Sequence, residues 1–184
     1  MAVTLPRRAL LLMALATACS KKKSKSPAVE MGPWKAEMRD MFDDRIHPGA
    51  VGLAMDAGAP ASDPLLRMRA QAAEVVARMR VQTLTRDTVG ARITYTLSLQ
   101  VGQPPLMPAK LEQRVIEVSI GPESDTFGLV QSLEGQLRGR TFIGFVRRFT
   151  GKDGPELHWH LTADTNDVAQ VIQEVALLEE MAAK

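Results

Sequence analysis

Residues 91–101 alternate without a fault: Ile93, Tyr95, Leu97, Leu99 and Val101 are apolar, and Arg92, Thr94, Thr96, Ser98 and Gln100 are polar. A period of two places each set on its own side of an extended chain, so this stretch reads as a strand with one buried and one wet face. Parallel sheets are covered on both faces and read as unbroken apolar runs. A two-faced strand therefore calls for an antiparallel sheet.

Other segments repeat the pattern. Residues 77–86 set Ala77, Met79, Val81 and Thr83 against Arg78, Arg80 and Gln82, and residues 114–120 turn Ile116, Val118 and Ile120 inward. Two more strands, 140–149 and 156–162, flank Gly151-Lys152-Asp153-Gly154, a hairpin signal. Symmetric closure of that loop pairs Val146 with Trp159 and Gly144 with Leu161. Phe142, Gly144, Val146, Leu157, Trp159 and Leu161 then share a core face, with Gly144 leaving room for the Trp159 indole or a neighbouring ring.

Between the strands the spacing becomes helical. Residues 34–44 gather Trp34, Met38, Met41 and Phe42 on one side, and residues 47–62 form a Gly/Ala/Pro-rich loop. Asp63-Pro64 opens a helix striped by Leu65, Met68, Ala72 and Val75. A helix over 125–138 uses Phe127, Val130, Leu133 and Leu137 and stops at Gly139. The last helix starts at Asp164, and Val168, Val171, Ile172, Val175 and Leu178 form a core-facing stripe. The expectation is one α+β domain over 34–184, a two-layer antiparallel sheet of about five strands packed by helices that include the C-terminal one.

Charge narrows the partners. The 184-residue chain has 23 Lys and Arg, six of them before residue 28; beyond that point 17 basic residues face 21 acidic ones, a formal charge of −4. A mildly acidic domain is unsuited to nucleic acid, whose binding rests on neutralising phosphates.

The basic residues at the start have another use. Arg7-Arg8 precede the apolar run ALLLMALATA at 9–18, about half the length of a bilayer-spanning helix. A basic flank, a short apolar run and small residues make a secretory signal over 1–18. The stretch Ala16-Thr17-Ala18-Cys19 resembles the lipobox of bacterial lipoproteins, and the resemblance covers the first ~20 residues only. It implies diacylglycerol on Cys19, the sole cysteine, and Ser20 after it implies the outer membrane, facing periplasm or surface. Residues 19–33, Lys- and Ser-rich, read as a hydrated tether between membrane and domain, reaching on the order of 20 Å.

One surface stands out. The second face of the hairpin mixes Ile143, Phe145 and Phe149 with Arg147, Glu156, His158 and His160, neither clean core nor clean solvent face. Something covers it: the 126–138 helix or the 47–62 loop, or else a ligand or partner protein. These residues are the candidate interaction or ligand face.

Catalytic and cofactor motifs are missing. There is no G-x-S-x-G elbow, G-x-G-x-x-G, phosphate loop or H-E-x-x-H. His158 and His160 point the same way from one strand, but a zinc site needs a third ligand, which His47 or Glu156 would have to supply. Asp43-Asp44 and Glu179-Glu180 read as solvated charge at helix ends. The expectation is no metal, no cofactor and no enzyme. The chain reads as a lipid-anchored interaction module in an envelope assembly, with membrane and protein partners. The alternative is a binder of a small apolar ligand or lipid in a sheet–helix cavity.

Overall fold

The computed structural model describes residues 31–53, 59–107 and 113–182. The expected signal peptide over 1–18, Cys19, and residues 19–30 of the expected 19–33 tether lie outside the described residues. One curled sheet dominates. Its strands are β1 (Arg45–Ile46), β2 (Val75–Val89), β3 (Arg92–Val101), β4 (Val115–Ile120), β5 (Thr141–Thr150) and β6 (Pro155–Ala163), in the order β1-β6-β5-β2-β3-β4. The helices are α1 (Ala36–Met41), α2 (Leu66–Ala72), α3 (Phe127–Ser132), α4 (Glu134–Leu137) and α5 (Asn166–Ala182).

The α+β class holds, and two finer expectations do not. The sheet has six strands and is mixed, because β1 pairs parallel with β6, Arg45 opposite His160 and Ile46 opposite Leu161. A two-residue strand is too short to show a period. At β5, β6 and the start of β2 the sheet is also covered on both faces, not on one, whereas β4 keeps an exposed outward face. Its first face joins Met79, Leu97, Leu99, Ile116, Val118, Phe142, Val146 and Trp159 in a core closed by Val130 and Leu137 of α3 and α4. The second core joins Val76, Ile143, Phe145 and Phe149 to α1, α2 and α5.

Local chemistry explains where the elements depart from the pattern. Val146 does face Trp159 and Gly144 does face Leu161. The space above Gly144, however, is filled by the Met79 thioether and Leu161 Cδ2, not by an indole. In β2 the register shifts between Val81 and Thr83. This bulge exchanges the faces beyond it, so Thr83 is exposed and Leu84 packs inward.

The 125–138 helix is two short ones, broken at Leu133 (φ −111°). Gly128 and Gly135 are weak helix formers, and the Ser132 hydroxyl donates to Gly128 O at 2.8 Å, competing with the helical ladder. In α2 the inward residues are Leu66, Arg69 and Ala70, not the Leu65/Met68 stripe; Met68 is 52% exposed. Asp63 does cap the turn, accepting from Leu65 N–H at 2.8 Å, but the helix ends at Ala72 and Val75 already belongs to β2.

Candidate functional site

Chain segment 31–47 crosses the sheet like a strap. It starts at the late end of β5, where Thr150 N–H donates to Gly32 O at 3.0 Å and the Thr150 hydroxyl to Met31 O at 3.1 Å. Trp34 then lies flat on His158, ring centres 3.6 Å apart, with its edge against Phe149. After α1 the strap reaches the open edge of β6. There Asp44 N–H donates to Trp159 O at 2.9 Å and His47 N–H to Leu161 O at 2.7 Å. Ile46 N–H donates to the buried Thr126 hydroxyl at 3.0 Å.

Two carboxylates of the strap meet the two histidines of β6. His158 Nδ1 lies 2.7 Å from Asp44 Oδ2, and His160 Nδ1 lies 2.8 Å from Asp43 Oδ1. Because a carboxylate accepts, each Nδ1 carries the proton. Asp44 Oδ1 also accepts from Trp159 N–H at 3.0 Å. These bonds hold Asp44 at a φ of 53°, a left-handed conformation that aspartate tolerates better than most residues. Asp43 and Asp44 are thus not solvated charge at a helix end. Sequence reading missed them because their partners lie 117 and 114 residues away.

Behind the His160–Asp43 pair sits Arg69, 3% exposed. Its Nε donates to Met41 O at 2.5 Å, one terminal nitrogen donates to Asp40 O at 3.3 Å, and the other pairs with Asp63. One guanidinium thereby ties the end of α1 to α2. Burial pushes the His160 ring below the usual histidine value; the Arg69 charge adds to this, and Asp43 pulls the other way. For Asp63, burial works to raise the pKa, yet hydrogen bonds from Arg69 and Leu65 N–H, with the Arg69 charge, hold it below the usual carboxylate range.

A cleft of about 270 Å³ opens here between Asp43, His47, Asp63, Arg69 and His160. A wider open groove of about 900 Å³ adjoins it along Trp34, Asp44, Arg45 and His158. Both are lined with charge. A neutral imidazole oriented by a carboxylate at Nδ1 offers Nε2 as a base. Here the Nε2 atoms of His158 and His160 are sealed from solvent and lack a hydrogen-bond partner among the described residues. His47 stands 6.4 Å from His160, ring centre to ring centre, but its Nδ1 accepts from Gly49 N–H. No group of three or more His, Cys, Asp or Glu among the described residues is arranged to hold a metal ion.

The candidate face of the hairpin thus divides. Ile143, Phe145 and Phe149 are at most 1% exposed, inside the second core. Their cover is α1, α2 and α5, joined by Ala61 of the 47–62 loop but not by the 126–138 helix, and they form no open docking face. Arg147 lies over the Phe149 ring and donates to Ala72 O at 2.9 Å, closing the end of α2. Glu156 stays half-exposed, 3.8 Å from His158 Nε2. His158 and His160 enter the ionisable cluster, with Glu156 at its edge; Asp43, Asp44, Asp63 and Arg69 complete it and Trp34 stacks on His158, none of which pattern reading assigns to the site. Comparison of the chain with models of protein families, with curated proteins and with solved structures finds no match in any of the three.

Proposed function

We propose that the chain is a lipid-anchored envelope protein, fixed through Cys19 to a membrane, which acts as a non-catalytic interaction module in an envelope assembly. The observation that carries this reading is the strap. Segment 31–47 takes in the last three residues of the expected 19–33 tether, and it is fastened at Thr150, at Trp159 and Leu161, and by both histidine–aspartate pairs. Buried ionisable groups are costly unless paired. Here they fasten the segment that joins anchor to domain. A module that holds a partner at a fixed place on a membrane needs such a fastening, whereas a freely diffusing binder does not. By the lipoprotein resemblance, Ser20 after the lipidated cysteine implies the outer membrane, facing periplasm or surface.

The test has two steps. Cys19→Ser should move the protein from washed membranes into the soluble fraction; retention on the membranes would overturn the anchor. Native mass of the lipidated protein, purified in mild detergent, should then show a stoichiometric protein partner. A monomer with a reproducible small extra mass would instead favour the binder of an apolar ligand.

A further inference from the structure

Helix α5 outlasts the core beneath it. Val168, Ala169, Ile172 and Val175 are buried, and no residue of the helix beyond Val175 is. On the outward side, the polar Gln170, Gln173 and Glu174 give way to Leu177, Leu178 and Met181, which are 58%, 54% and 61% exposed. The sequence pattern had placed Leu178 in the core stripe; the sheet ends before it. Three large apolar side chains on the solvent side of one helix end are unexplained by the fold.

Their position supplies the occupant. Glu179 borders a small cleft with Gln71, Ala73 and Glu74. Glu74 N–H donates to Val146 O at 2.8 Å, and its carboxylate accepts from Arg148 Nε at 2.7 Å. The end of α5 therefore lies by the last residues of β5, where Thr150 also pins Gly32. Twelve residues, 20–31, separate Gly32 from Cys19, a length that reaches at most about 45 Å at full extension. The β2–β3 tip at Val89 lies at the opposite end, beyond the Arg80–Thr141 pair that ends the β2–β5 ladder.

We infer that Leu177, Leu178 and Met181 rest in the lipid surface that holds Cys19, so that the domain stands on its α5 end with the β2–β3 ribbon pointing away. The tether keeps this end within reach of the bilayer, and the apolar stripe then enters the head-group boundary as amphipathic helices do. Glu179 and Glu180 sit off the stripe. This inference rests on the lipid-anchor reading, and the experiment separates the two.

The lipidated Leu178→Cys chain, labelled with a nitrobenzoxadiazole probe, is reconstituted in vesicles of phosphatidylethanolamine and phosphatidylglycerol. A Val89→Cys chain is the control. With Cys19 blocked by lipid, only the introduced cysteine reacts. The expected result is blue-shifted emission at 178, quenched by acyl-chain spin-labelled lipid, with the probe at 89 remaining in water. In the unlabelled protein, vesicles should slow amide exchange over 177–182. The Leu177→Ser, Leu178→Ser, Met181→Ser variant should lose that protection while keeping its melting temperature. Protein that floats with vesicles but shows water-like emission at 178 overturns the inference and leaves the anchor standing; so does burial of 178 only after a partner protein is added. Protein that fails to float and takes label at Cys19 overturns both.

Discussion

His160 keeps its ring inside the protein, with Asp43 on one nitrogen and no partner described for the other. Its folded-state pKa lies below the unfolded value near 6.5. The unfolded chain therefore takes up the proton first as the solution is acidified. The stability His160 contributes is complete above 6.5 and falls as pH drops through that value toward the folded one. Urea unfolding at pH steps on either side of 6.5 should show this slope, and His160→Phe should flatten it. Asp63 adds a second window, since its stabilisation is present above 3.8 and is lost below it. Arg69 is the more damaging site. Arg69→Met removes the donor to two carbonyls and leaves Asp63 partly buried beside no cation, a cost of about 3–5 kcal/mol. Arg69→Lys should recover little of this by thermal unfolding, because an ammonium does not reproduce the guanidinium fork.

At the scale of elements, the strap and the hairpin make separate predictions. The double change Asp43→Asn, Asp44→Asn weakens the charged hydrogen bonds to β6 and should cost about 1–3 kcal/mol. Trypsin should then cut sooner at Arg39 and Arg45, an effect read by mass spectrometry of limited digests; unchanged cutting would mean that the strap is held elsewhere. Phe145→Asp puts an unpaired carboxylate into the second core and should prevent stable folding, as a lost far-ultraviolet transition would report. Much of this layer was legible in the sequence. The Gly151–Gly154 loop set the β5–β6 register, and alternation located β3 and β4 with their buried faces. Three features were not legible, each for a physical reason. Strand β1 is two residues long, the bulge after Val81 adds one residue with no mark in the pattern, and Arg69 occupies an inward helical position that an apolar-stripe search passes over.

Across the whole molecule, the candidate site was half visible. His158 and His160 stood out because two histidines share one strand face. Their aspartates, the stacked Trp34 and the buried Arg69 come from earlier in the sequence, and the parallel pairing of β1 with β6 brings them together along with the strap's bonds to Thr150 and Arg69. That pairing also sets an order of events. The strap is made early, whereas β6, which it must meet, is made after nearly everything else. Contacts this distant in sequence close late. Until Trp159 and Leu161 are available, residues 43–47 have no edge to join, and Phe149 lacks the cover of both α1 and α5. A chain wired in this way stays open through most of its synthesis. Its own topology postpones closure until the last strand has left the ribosome.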